Sequence, residues 1–391
     1  MAPHALFQPA RLGPITLRNR VVKCATFENL ARDGLVTDPL VAWHREFTAG
    51  GVGTTTLAYC AVAADGRTYP HQIWMRPEAL PGLRRFTDGM HVDGAAAAVQ
   101  LGHAGWFAPP KVTGVRPIGP SRQFSPHAQA FSRAMTTDDF ARVTAEFVAA
   151  ARLAVEAGFD ALEVHLGHGY LLSQFLCPWN NRRTDAYGGD VAGRARFPRE
   201  VFRAVRAATG GRVAIWAKLN MDDGFRGGLV VDDAITVARA LEADGSVDAL
   251  QLTGGHTTRT PMFLMRGDSP LAEMARHSRG SVRRWLMAFL GRFVVRNYAF
   301  EEAFFLPLAR RVRTAVGVPC MLLGGVTRRA TMEAAIDEGF GFVALGRALI
   351  RQPDLVAQLQ TGTLDASPCV PCNRCVVEME RGGVRCVLRP G

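Results

Sequence analysis

The sequence predicts an α/β protein: a closed barrel of eight parallel strands and eight helices, with an inserted helical segment and a short cysteine-rich tail. Three observations predict it. Short apolar, strand-like runs alternate with helical patterns, eight such runs occur, and polar or glycine residues recur where the runs end. Short buried strands alternating with helices imply a parallel sheet covered on both faces. Eight repeats favour closure into a (β/α)8 barrel, although periodicity alone leaves a doubly wound open sheet as the alternative.

The runs are Val21–Ala25, Thr54–Val62, Ala96–Leu101, Ala161–His165, Val213–Leu219, Ala249–Leu252, Cys320–Leu323 and Phe342–Leu345. Helical patterns lie between them, for example Asp138–Ala157 and Val231–Ala243. Two junctions repeat one phrase, Val155-Glu-Ala-Gly-Phe-Asp-Ala161 and Ile336-Asp-Glu-Gly-Phe-Gly-Phe342, in which glycine ends the helix and the strand starts at once. Two segments break the repeat. His256–Phe300 is too long for an ordinary loop. Within it, Ser281–Arg296 places Val282, Trp285, Leu286, Phe289, Leu290, Phe293 and Val294 on one helical face, with Arg283, Arg284, Arg292 and Arg296 largely off it. Tethered at both ends above a barrel mouth, such a helix is expected to act as a lid or subunit contact rather than a membrane anchor. The tail, Ala366–Gly391, is the second departure. The expected division is therefore 1–365 for the barrel, with 256–300 inserted, and 366–391 for the tail.

Composition bounds the function. A chain of 391 residues with 48% hydrophobic and 21% charged content can bury a sizeable core and is not a disordered protein. The net charge is +11, yet the only lysines are Lys23, Lys111 and Lys218. Such arginine bias, with no basic element or matching motif, argues against a nucleic-acid partner. The N-terminus lacks the basic start and apolar run of a signal peptide, and no stretch has the roughly 18 to 20 apolar residues that cross a bilayer. A cytoplasmic enzyme without a transmembrane segment, assembled as a homo-oligomer, is expected.

The chemistry concentrates at the strand ends. They carry Thr26-Phe-Glu, Cys60, Gln100-Leu-Gly-His103, His165 with His168, Lys218-Leu-Asn, Thr253-Gly-Gly, Gly324-Gly325 and Gly346-Arg347. Barrel active sites lie at this rim. In Glu163-Val-His-Leu-Gly-His-Gly-Tyr170, two imidazoles and a phenol leave one strand end. Together they can hold a carbonyl oxygen and supply a proton beside it. A lone histidine would more often be a satisfied core residue; the pair with Tyr170 favours the clamp. The glycines at 324, 325 and 346 read either as tight turns or, with Arg347, as a phosphate cradle.

These motifs resemble the old yellow enzyme family of FMN-dependent ene-reductases. The resemblance rests on Leu17-Arg-Asn-Arg-Val-Val22, Gln100-Leu-Gly-His-Ala-Gly105, the His165/His168/Tyr170 motif, Arg183-Thr-Asp-Ala-Tyr-Gly-Gly189, Gly324-Gly325 and Leu345-Gly-Arg347, all in family order. It implies a TIM barrel holding FMN non-covalently at its mouth, reduced by NAD(P)H and reoxidised by a small unsaturated carbonyl substrate in ping-pong fashion. By the same resemblance, Gln100 hydrogen-bonds the flavin pyrimidine edge, and Lys218 sits near flavin N1 and stabilises the reduced ring. Ala25, Thr26 and Cys60 border the flavin, while Gly324, Gly325, Gly346 and Arg347 hold its phosphate. His165 and His168 bind the substrate carbonyl, and Tyr170 protonates the carbon beside it. Phe27 stands where many relatives carry a thiol or hydroxyl that tunes the flavin; here Thr26 is the nearest hydroxyl.

Cys369, Cys372, Cys375 and Cys386 gather four thiols in the tail. This spacing suits a [4Fe–4S] cluster, with tetrahedral zinc as the rival and free thiols as the third reading. It also resembles the iron–sulfur segment of the 2,4-dienoyl-CoA reductase branch. Two other functions stay open: an electron-transfer component acting with a protein partner through flavin and tail cluster, and a non-flavin, metal-dependent barrel enzyme using the histidines as ligands.

Overall fold

The computed structural model describes residues 3–270, 273 and 296–389. Of the amphipathic stretch Ser281–Arg296, all but Arg296 lies outside the described residues. Eight parallel strands close into a barrel: β1 Val21–Lys23, β2 Thr54–Ala61, β3 Ala96–Gly102, β4 Ala161–Leu166, β5 Ala214–Asn220, β6 Ala249–Thr253, β7 Cys320–Leu322 and β8 Phe342–Leu345. Each begins and ends within two residues of the run seen in the sequence. The helices Asp38–Ala49 (α1), Leu80–Val92 (α2), Thr137–Glu156 (α3), Val191–Thr209 (α4), Val231–Ala243 (α5), Leu306–Arg313 (α6), Arg329–Asp337 (α7) and Leu355–Thr361 (α8) alternate with them. α3 starts on a capping box, in which Thr136 accepts from the Asp139 amide and Asp139 accepts from the Thr136 amide.

Two cores hold the barrel. The larger lies between strands and helices. The smaller fills the interior, where Ala98, Ala161, Ala214 and Ala249 leave room for Trp216, Met321 and Phe342. Leu12 and Leu17, from an antiparallel ribbon of Ala10–Leu12 and Ile15–Leu17, join this interior cluster. The interior alanines begin or nearly begin their strands, so the ribbon plugs the barrel's N-terminal end. Each leucine so buried contributes about 1.5–3 kcal/mol.

The register then sets the opposite end. Glu163 pairs with Trp216, and His165 with Lys218, across β4 and β5; Lys218 pairs with Gln251 across β6. Side chains two apart share a face, so Glu163 and His165 point inward beside Trp216 and Lys218. The tail is strapped over this end. The Val384 amide donates to the Glu28 carbonyl at 2.9 Å, and Asn29 Nδ2 donates to the Met379 carbonyl at 2.6 Å. Among the described residues, no helix is long and apolar enough to cross a membrane.

Candidate active site

A cavity of about 580 Å³ opens at the C-terminal ends of the strands. Ala25, Thr26, Gln100, His165, His168, Tyr170, Lys218, Gly324, Gly325, Gly346 and Arg347 all line it. The structure thus brings together every residue expected for catalysis and flavin binding except Cys60. A β-bulge explains the exception. The register jumps from Leu57 opposite Val99 to Cys60 opposite Leu101, so Ala58 and Tyr59 together oppose one residue, Gln100. The extra residue flips the alternation. Tyr59 lines the cavity, and Cys60 is turned into the core beneath the helices.

The clamp is held from several elements. His165 and Tyr170 stack with ring centroids 4.2 Å apart, and His168 meets His165 edge-on at 5.1 Å. His165 Nδ1 accepts from the Gly167 amide at 3.3 Å, which leaves the ring proton on Nε2 as a donor. His168 sits in the left-handed region at φ 58°, a costly conformation for a non-glycine residue. It is fixed there by its amide donating to Asn220 Oδ1 at 3.0 Å and by a 2.8 Å hydrogen bond between Nε2 and Thr253 Oγ1. Gly169 follows at φ 80°, and a Cβ there would come within 2.5 Å of the His256 ring. Burial, then neighbouring His168 and Lys218, holds the His165 pKa well below its ordinary value. Burial, then Lys218 and His256, does the same for His168. Both are neutral hydrogen-bonding groups near pH 7. Burial raises the Tyr170 pKa, Tyr69 adding to it, so the phenol keeps its proton.

Beneath the clamp lies a polar layer centred on Glu163, which is fully buried. Gln100 Nε2 donates to Glu163 Oε1, Trp216 Nε1 donates to Oε2 at 2.7 Å, and Lys218 Nζ lies 3.4 Å from Oε1. Glu163 therefore fixes both Gln100 and Lys218. Sequence reasoning did not assign it a role, although its position two before His165 on one strand was the available signal. Lys23, fully buried, donates to Thr26 Oγ1 at 2.9 Å. An ammonium only donates, so the Thr26 proton is directed elsewhere, on a residue that lines the cavity. Phe27 stacks on Tyr69 at 4.8 Å and closes the same wall.

The far end suits a phosphate. Gly325 has φ 73°, and a Cβ on it would lie 2.5 Å from the Phe304 ring, so only glycine fits. Among the described residues, Arg347 makes its hydrogen bonds through Nη1: to the carbonyls of Met265 and Arg266 at 3.5 and 3.0 Å, and to Asn373 Oδ1. Its Nε and Nη2 edge is left for a ligand. Ser269 borders the cavity as well, with a buried hydroxyl that has no partner among the described residues. Glycine backbone, a guanidinium edge and an orphan hydroxyl fit the phosphate of FMN; the Gln100 and Lys218 wall fits its polar ring edge. By contrast, the Arg183–Gly189 motif is structural. Arg183 Nη1 donates to the carbonyls of Pro120 and Met135 at 3.0 and 2.9 Å, bracing the loop after β4.

The tail cysteines reach the same place. Cys369 and Cys375 line the cavity, and Cys386 faces an outer groove. Burial pushes Cys375 up to about 12, with Arg347 lowering it and the other three tail thiols adding to the rise. Tetrahedral zinc, with bonds of about 2.3 Å, needs sulfurs some 4 Å apart. Among the described residues, the one trio of donor atoms within 4.8 Å of one another is Asp65, His103 and Glu146, not the thiols. In that trio, Arg142 donates to Asp65 at 3.1 Å and to Glu146 at 2.7 Å, and supplies the cation itself.

Residues 5–255 match the model of the NADH:flavin oxidoreductase / NADH oxidase family. The chain belongs to that family. It is an NAD(P)H-dependent flavin oxidoreductase, as the strand-end motifs imply. It is 48% identical over 385 residues to the 4,4'-dithiodibutanoate disulfide reductase of Rhodococcus erythropolis, covering 98% of this chain and 95% of that one. An NADPH dehydrogenase of Listeria monocytogenes is 33% identical over 361 residues, covering 89% of this chain and 92% of the relative. Among solved structures, a 2-naphthoyl-CoA reductase in complex with 2-naphthoyl-CoA shares the fold with a TM-score of 0.82 at 24% identity, over 99% of this chain and 57% of that one.

Proposed function

We propose that this chain uses NAD(P)H to reduce the activated C=C bond of a small α,β-unsaturated carbonyl compound. The observation that carries this reading is the buried neutral clamp of His165, His168 and Tyr170 on the cavity that also holds Gln100 and Lys218. FMN, held by Gln100, Lys218 and Arg347, would supply the hydride chemistry between NAD(P)H and the second substrate. His165 and His168 donate hydrogen bonds to the carbonyl oxygen and draw electron density from the β-carbon. Tyr170, kept protonated by burial, gives its proton to the α-carbon. Lys218, held by Glu163, offsets negative charge at the ring edge beside Gln100. The two substrates use one cavity in turn, which gives ping-pong kinetics.

The 48% identity to a disulfide reductase favours a second reading. A disulfide in the same place takes the electron pair at sulfur, its S–S bond breaks, and Tyr170 protonates the departing thiolate. Product analysis separates the two. With NAD(P)H, 2-cyclohexenone should yield cyclohexanone with a kcat/KM exceeding that for cleavage of 4,4'-dithiodibutanoate. The opposite ranking makes disulfide reduction the function.

The tail thiols we read as ligands of a [4Fe–4S] cluster, since three near cysteines and one more distant one suit such a cluster. Iron and acid-labile sulfide at four per chain support this; stoichiometric zinc refutes it.

A further inference from the structure

Asn373 lies in the middle of the cysteine loop, yet its side chain does not face the thiols. It is buried, in the left-handed region at φ 56°. Its Nδ2 donates to the carbonyls of Met265 and Asp268 at 2.6 and 2.9 Å. Its Oδ1 accepts from Arg347 Nη1. With a donor at one end of the amide and two carbonyls at the other, its orientation is fixed. The Asp268 amide returns a hydrogen bond to the Pro371 carbonyl at 2.9 Å. Three distant segments therefore meet at one amide: the tail, the stem of the insertion and the end of β8. The tethered Nη1 holds the guanidinium so that its other edge is the one left for a ligand.

We infer that Asn373 is the positioning residue for Arg347, and that through it the FMN phosphate fastens the cysteine tail to the barrel. The inference rests on the reading of Arg347 as a phosphate ligand. Asn373 never touches the flavin; it acts by holding the guanidinium and by tying Pro371–Arg374 to Met265–Asp268. Because coupling is reciprocal, phosphate binding at Arg347 also stabilises the tail.

Riboflavin, which has the ring but no phosphate, separates this from a general structural role. The variant is Asn373→Gly, which removes the side chain while keeping a residue at ease at φ 56°. Flavin fluorescence on binding to the flavin-stripped protein gives the two dissociation constants. Asn373→Gly should weaken FMN binding about tenfold, the loss of one hydrogen bond to a charged group, and leave riboflavin binding unchanged. Arg347→Met should abolish the preference for FMN over riboflavin. If Arg347→Met keeps that preference, the phosphate reading itself fails. If Arg347→Met loses it but Asn373→Gly keeps wild-type FMN affinity, or weakens both flavins equally, the phosphate reading stands and this inference is overturned. Limited trypsin digestion tests the reverse direction. FMN, and not riboflavin, should slow cleavage at Arg374 and Arg381 in the wild type, and the effect should vanish in Asn373→Gly. Equal cleavage with both flavins in the wild type refutes the coupling.

Discussion

The two ends of the cavity are built differently. At the substrate end, His165, His168 and Tyr170 leave one strand within six residues, and their partners Asn220 and Thr253 end the next two strands. At the phosphate end, Arg347 is aimed by Met265, Arg266 and Asn373, drawn from segments about 26 to 82 residues away in sequence. The first end takes its geometry from the barrel, whose packed strands have little freedom. The second takes it from hydrogen bonds between loops, so single side chains there should shift flavin affinity without touching the chemistry. Loops of this kind are the usual low-stability parts of a fold.

The largest effect expected is at the rigid end. Tyr170→Phe should slow substrate reduction by about 10²–10⁴-fold, the range for a lost general acid, while flavin reduction by NAD(P)H changes far less. Equal loss in both half-reactions, measured by anaerobic stopped flow, would remove the contrast between proton delivery and flavin binding. Next in size is the double change His165→Ala with His168→Ala. It should weaken phenolate binding about tenfold per lost hydrogen bond to the charged oxygen, as read by perturbation of the flavin spectrum. Unaltered phenolate binding would place the ligand elsewhere. Lys218→Met should then lower the flavin reduction potential, on the order of 30 mV, because the reduced ring loses a buried cation. A raised potential would detach Lys218 from the ring.

The smallest effect concerns pH. Folded His165 and His168 titrate well below 6.5, whereas the unfolded chain takes up protons near that pH. The unfolded state then binds more protons, so their stabilising contribution is present above about pH 6.5 and is lost as pH falls below it. The urea midpoint of the wild type should drop between about pH 7 and pH 5, and less so in the double histidine variant. Identical pH profiles would mean that the imidazoles are not held neutral.

The same contrast decides what the sequence made legible. Barrel strands and the clamp could be read because their signals are local: apolar runs of strand length, and polar residues where they end. Strand-end position put Gln100 and Lys218 at the rim, and the family resemblance supplied their roles. Cys60 was misplaced because alternation carries through a strand only until a bulge, and nothing local marks Ala58-Tyr59 as one. Ser269 carried no signal. Asn373 stood out only as the asparagine of the Cys-x-x-Cys-Asn start, and nothing local marks its partners Met265, Asp268 and Arg347, which lie far away in the chain. The tail was expected as an appendage; its Cys369, Cys375 and Val376 instead form part of the cavity wall.

The most direct test of the account is the oxidative half-reaction. Enzyme loaded with FMN is reduced anaerobically by one equivalent of NADPH and mixed with 2-cyclohexenone. The account predicts rapid, saturable reoxidation of the flavin with formation of cyclohexanone, slowed at least a hundredfold in Tyr170→Phe. Flavin that stays reduced in the presence of the enone, or that reoxidises equally fast in Tyr170→Phe, would contradict it.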